Sequence, residues 1–89
     1  MKTGPESPLQ FPCSFPLKVM GENTEAFHAV VEAILVKHLT AEEEILFSSR
    51  TSAGDKYRSI TATFTARSRK QLDDIYRELH AHPKVLMTL

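Results

Sequence analysis

A chain of 89 residues, of which 23 are Leu, Ile, Val or Phe, has the material for one hydrophobic core and no second domain. Eleven Lys and Arg balance eleven Asp and Glu, so the overall charge gives no draw towards nucleic acid or a membrane surface. The single cysteine, Cys13, excludes an internal disulfide and a cysteine-based zinc site, and no run approaches the roughly 18 apolar residues that span a bilayer.

Residues 1–10 carry Gly4, Pro5, Ser7 and Pro8 and read as a flexible leader, with one domain over 11–89. The leader has no apolar stretch of the secretory kind, and with a lone thiol this predicts a cytoplasmic protein. Phe11-Pro12 and Phe15-Pro16 bring the chain in extended, because each proline denies its predecessor the helical region. Phe15, Leu17 and Val19 then alternate with Pro16, Lys18 and Met20, the period of a strand with one buried face, and Gly21 is expected to end it.

Thr24 is placed to cap a helix with Glu25 in its first turn. Phe27, Val30, Val31, Ile34 and His38 form one stripe of that helix, which should stop near Leu39-Thr40. Ile45-Leu46-Phe47 open a second strand, and Ser52-Ala53-Gly54-Asp55 supply a turn. In the return strand Ile60, Ala62, Phe64 and Ala66 share one face, and Ser59, Thr61, Thr63 and Thr65 the other. Ser68 and Gln71 have the spacing of a reciprocal capping box, and Leu72, Ile75, Tyr76 and Leu79 follow at helical spacing. Pro83 stops the helix at His82, and Val85, Met87 and Leu89 alternate with Leu86 and Thr88 in a last strand.

The order strand, helix, strand, strand, helix, strand predicts an α+β split β-α-β sandwich, with the first and third strands central and both helices on one sheet face. The run Phe15-Pro16-Leu17-Lys18-Val19-Met20-Gly21, the Tyr57–Ala66 strand and the terminal Val85-Leu86-Met87-Thr88-Leu89 resemble the YbeD-like family of small bacterial proteins. The resemblance runs from about Phe11 to Leu89. It implies a ferredoxin-like βαββαβ fold with a four-stranded antiparallel sheet, similar to the ACT domains that regulate amino-acid enzymes. Such domains pair through sheets or helices and hold small ligands near the loop after the first strand, where Gly21 matches a common glycine. The family is one of unknown function and supplies no catalytic residues.

Two groups of residues are candidate ligand sites. Gly21, Glu22, Asn23 and Thr24 lead into the first helix, whose free amides favour an anion; the plainer reading is an ordinary strand-to-helix turn. Arg67, Ser68 and Arg69, with Lys70, crowd a helix start where the dipole disfavours cations, which can mark a bound anion. The plainer reading there is that Asp73 and Asp74 in the first turn offset the charge. Charge is also divided along the chain. Six cations stand against Asp55 between Ser48 and Lys70, and six glutamates against Lys37 between Gly21 and Phe47. Such a split either orients a partner or leaves two solvated faces.

His28 with His38, and His80 with His82, lack the spacing of a helical zinc site, so no metal and no cofactor are expected. The open face of the central strands carries threonines where an RNA-recognition motif needs stacking aromatics. The loop after the first strand lacks the arginine of an acylphosphatase-like enzyme. No residue receives a catalytic role. The expectation is a non-enzymatic regulatory or interaction module that senses a small metabolite in the manner of ACT domains. The alternative is a protein–protein adaptor without a small ligand. The partners expected are a small metabolite, another protein or a second copy of the chain, with no nucleic acid and no membrane.

Overall fold

A computed structural model of the chain describes residues 9–89; the first eight positions of the expected leader lie outside the described residues. The elements are β1 (Cys13–Glu22), α1 (Glu25–His38), β2 (Leu46–Thr51), β3 (Tyr57–Ala66), α2 (Arg69–Ala81) and β4 (Val85–Thr88), with a short 3-10 turn at Ala53–Asp55. All four strands pair antiparallel in the order β2-β3-β1-β4, so the first and third strands are central as the pattern predicts.

The core is where the two periodicities meet. Leu17 and Val19 of β1 and Ile60, Ala62, Phe64 and Ala66 of β3 face Phe27, Val31, Ile34 and Leu35 of α1 and Leu72, Ile75 and Leu79 of α2. Each large side chain removed from water here contributes about 1.5–3 kcal/mol. Phe15 closes the end of this core, with its ring centroid 6.1 Å from Phe64 and 6.5 Å from Tyr76. Phe11 and Cys13 are half-buried against the same cluster. The other face of the sheet carries Lys18 and Met20 of β1 with Ser59, Thr61, Thr63 and Thr65 of β3, and among the described residues no helix packs on it.

Both helices begin on the expected caps. Thr24 Oγ1 accepts from the Phe27 N–H at 3.1 Å, and Ser68 Oγ accepts from the Gln71 N–H at 3.1 Å. The second half of the box differs from the expectation. Gln71 Oε1 accepts from the N–H of Arg67, at 2.7 Å, instead of that of Ser68, and Gln71 Nε2 donates to the His38 carbonyl at 3.0 Å. That carbonyl belongs to the last turn of α1, which lacks intrahelical partners, so the glutamine joins the end of one helix to the start of the next.

Two strand expectations are corrected. β1 does not stop at Gly21 but continues through Glu22, with Gly21 opposite Arg58 and Glu22 opposite Tyr57. Gly21 is buried, and a Cβ there would stand 2.5 Å from the Phe27 ring and 2.7 Å from the Lys84 carbonyl oxygen. In β4 the simple alternation fails. Met20 pairs with Met87 but Gly21 pairs with Val85, leaving Leu86 as an extra residue. A bulge of this kind breaks the period of two. Val85 therefore packs on the core while Met87 and Leu89 are exposed.

Candidate functional site

The antiparallel pairing of β1 with β4 brings two connections together at one end of the sheet: the Asn23-Thr24 turn before α1, and His82-Pro83-Lys84 after α2. Between them lies a cleft of about 260 Å³ lined by Glu22, Thr24, Phe27, His82, Pro83, Lys84 and Leu86. Local chemistry shapes each wall. Pro83 cannot continue a helix, and the Lys84 N–H donates to His82 Nδ1 at 3.1 Å while the Val85 N–H donates to the His82 carbonyl at 3.1 Å. The bulge turns Leu86 out of the ladder and onto the cleft. Gly21 lets the Lys84 backbone and the Phe27 ring close on β1, so it sets the narrowness of this end without lining it.

Of the four residues expected around this turn, Glu22 and Thr24 line the cleft. Asn23 is engaged elsewhere. Its N–H donates to the Lys56 carbonyl at 3.1 Å and its Nδ2 to the Asp55 carbonyl at 3.1 Å, pinning the β2–β3 turn to the start of α1. The Thr24 hydroxyl oxygen is occupied by the Phe27 N–H, and the Thr24 N–H donates to the Glu22 carbonyl at 2.8 Å. The cleft thus presents one carboxylate, one ammonium and one imidazole around an apolar floor of Phe27, Pro83 and Leu86.

Arg67, Ser68 and Arg69 lie at the other end. The β1–β3 ladder runs from Glu22 opposite Tyr57 to Cys13 opposite Ala66, and ten residues at ~3.3 Å each separate its ends by roughly 30 Å. The two groups do not combine. Arg67 Nε donates to Glu43 Oε2 at 2.9 Å, with Nη2 on the same oxygen, and the Glu43 side chain is only 8% exposed. An anion is therefore already bound to Arg67, and it is the chain's own. Ser68 is taken by the cap, and Arg69 is exposed. The expected acids in the first turn of α2 are absent from it: that turn is Arg69, Lys70 and Gln71. Asp74 lies a turn further on, 2.9 Å from Lys70 Nζ and 2.8 Å from Arg77 Nη1, and these hydrogen bonds hold its carboxyl below the usual range.

Besides His82, the other three histidines each meet a side chain of the same chain. His38 Nε2 is 3.0 Å from Glu78, which Lys37 also reaches at 2.8 Å; His80 Nε2 is 2.7 Å from Thr88 Oγ1; and His28 lies 3.8 Å from Glu32 with its ring tilted against Phe47, centroids 5.0 Å apart. Hydrogen bonds from Lys37 and His38 lower the Glu78 carboxyl. Among the described residues no three His, Cys, Asp or Glu side chains gather as a metal site would need, and no helix is long and apolar enough to cross a membrane.

A family model described as "Protein of unknown function (DUF493)" matches residues 6–89. The chain belongs to the DUF493 family. Its DUF493 sequence is 42% identical over 81 residues to a UPF0250 protein of Chromobacterium violaceum, covering 91% of each chain. It is 38% identical over 84 residues to a UPF0250 protein of Nitrosomonas europaea, covering 94% of this chain and 97% of the other. Among solved structures, protein HP0495 of Helicobacter pylori superposes with a TM-score of 0.74 at 19% identity, over 100% of this chain and 94% of that one. The C-terminal domain of the MgtC protein of Mycobacterium tuberculosis gives 0.69 at 15% identity, over 93% and 89%. These likenesses establish the ferredoxin-like fold and the YbeD-like relationship that the sequence resembles.

Phe27, His82, Pro83, Lys84 and Leu86 line the cleft without belonging to either candidate site of the sequence. His82-Pro83 reads in the sequence only as a helix stop. The signal for its second role is the strand order, since a last strand beside the first must bring its lead-in against the turn that follows β1.

Proposed function

We propose that this DUF493 chain is a non-enzymatic, cytoplasmic regulatory module whose cleft between the β1–α1 turn and the α2–β4 connection takes a small metabolite, in the manner of the ACT domains it resembles. One observation carries the reading: Glu22 and Lys84 place opposite charges around the apolar surface of Phe27, Pro83 and Leu86. That combination suits a small zwitterion with an apolar side group, because pockets for small molecules pair an apolar lining with a few polar groups that fix orientation. Regulation would follow from differential binding, the ligand favouring one arrangement of the two connections or one association state over another.

The test is a thermal-shift screen of the whole chain against amino acids, nucleotides and carboxylate metabolites. A ligand of the folded state alone raises stability by about 2.7 kcal/mol at a hundred times its dissociation constant, which is several degrees for a domain of this size. Glu22→Gln and Lys84→Gln should each reduce the response to a hit. A flat screen, or a hit indifferent to both changes, rejects the reading.

A second reading, an adaptor without a small ligand, has its own observation. β4 is an edge strand, and Leu86, Met87 and Leu89 on and beside it are 55%, 47% and 62% exposed. Edge strands accept a further strand through their free backbone groups. Were a second copy the partner, sedimentation would show a concentration-dependent mass that Met87→Lys removes.

A further inference from the structure

The open face of the sheet holds a second basin, remote in chemistry from the cleft. It has a volume of about 400 Å³ and is lined by Lys18, Ser48, Ser49, Arg50, Ser59 and Thr61. The strand register builds it in two rows. Lys18 pairs with Thr61, which pairs with Ser48; in the next row Met20 pairs with Ser59, which pairs with Arg50. Lys18 and Arg50 therefore stand at diagonal corners, two strands apart at ~4.8 Å each and one row of ~6.6 Å along, roughly 12 Å between Cα atoms. Two side chains of that length are long enough to span the gap, and both line the basin together with Ser59 and Thr61.

None of the six lining residues is acidic, and among the described residues neither Lys18 nor Arg50 is in an ion pair. Four other cations are neutralised internally, Lys37 on Glu78, Arg67 on Glu43, and Lys70 and Arg77 on Asp74; what sets Lys18 and Arg50 apart from the remaining unpaired cations is that they line one basin together. Strand formation does not call for serine here, since pleated surfaces favour β-branched and aromatic side chains. Two unneutralised cations over a floor of hydroxyl donors are complementary to a compact oxyanion with several acceptor oxygens.

We propose that this basin binds the phosphate group of a small phosphorylated molecule, or free phosphate, with Lys18 and Arg50 neutralising its charge and Ser48, Ser59 and Thr61 donating to its oxygens. A phosphomonoester carries about −1.5 to −2 charges near neutral pH, matching two cations better than a carboxylate does. A nucleic-acid strand fits poorly, because it needs a longer track of cations and stacking aromatics beside them.

The whole chain is titrated at constant ionic strength and followed by nitrogen–proton correlation NMR, with inorganic phosphate, glycerol phosphate, acetate and a single-stranded oligonucleotide as probes. Saturable shifts confined to the amides around Lys18, Ser48, Arg50, Ser59 and Thr61 are expected for the two phosphate probes. A tighter response to glycerol phosphate assigns an organic phosphate, and a tighter response to inorganic phosphate assigns the free anion; both support the site. Lys18→Gln with Arg50→Gln should weaken the phosphate probes by about ten-fold or more, two charge-assisted contacts being lost. Thr61→Val, which keeps shape and β-branching, should weaken them several-fold. Should the double variant melt below the parent, Lys18→Gln and Thr61→Val singly decide the matter. The proposal is overturned by a non-saturating response, by acetate acting as strongly as phosphate, by shifts centred on Arg69 or Lys84, or by parental affinity in the variants. Tighter binding of the oligonucleotide than of phosphate on this face overturns it in favour of nucleic acid.

Discussion

A methyl group on Gly21 would stand 2.5 Å from the Phe27 ring, the side chain that both fills the core and floors the cleft. With the Lys84 carbonyl oxygen 2.7 Å away on a main chain that cannot swing aside, the glycine is required for close approach, not for backbone conformation. Gly21→Ala should destabilise the fold by about 1–3 kcal/mol through overpacking, a drop in melting temperature of several degrees. Phe27→Leu in the same chain should recover part of that loss by yielding ring space. Chemical denaturation of the single and double variants measures it, and parental stability in Gly21→Ala would falsify the steric account.

Gln71 separates a local cap from a tertiary bridge. A capping box accepts Glu or Gln equally, so a purely local role makes Gln71→Glu harmless. Here Nε2 donates to the His38 carbonyl. A carboxylate would lose that donor and set two acceptors against each other. Gln71→Glu is expected to cost about 1–2 kcal/mol, one hydrogen bond plus an unpaired carbonyl, read as a fall in the denaturation midpoint at neutral pH. An unchanged midpoint removes the bridge from the account.

Acid should unfold this chain partly through Glu78 and Asp74. Hydrogen bonds from Lys37 and His38, and from Lys70 and Arg77, depress the two carboxyls in the folded state. A carboxyl whose folded value is depressed contributes stability above its unfolded value and loses it as pH falls through the folded one. Melting temperature should therefore fall on acidification below the ordinary carboxylate range. Glu78→Gln should flatten that fall, by an amount that solvent screening at a partly exposed site keeps modest. An equally steep acid profile in the variant assigns the dependence to other groups.

Among the described residues Arg58 Nε is buried without a hydrogen-bond partner. A buried donor left unsatisfied costs about 1–3 kcal/mol, so Arg58→Met, similar in reach and apolar, should be neutral or stabilising. A clear loss in thermal stability would show that the guanidinium makes a contact worth more than that cost.

The elements, the strand order and the core were legible in the residues because each depends on a short-range period. Leu17 and Val19, Ile60 to Ala66, and Phe27, Val31 and Ile34 declare their faces within one strand or helix. The caps at Thr24 and Ser68 depend on residues three apart and are equally local. Membership in a fold of this order then leaves little freedom in how the four strands are arranged.

What the tertiary structure decided involves residues distant in the chain whose meeting depends on register. Leu86 leaves the ladder only because β4 meets β1 with one residue too many, and nothing in Val85-Leu86-Met87 announces the bulge. Glu43 reaches Arg67, and Gln71 reaches His38, across 24 and 33 residues. Lys18, Arg50 and Thr61 share a basin because three strands align in particular rows. A sequence period states which way a side chain points; only the packed sheet states what it points at.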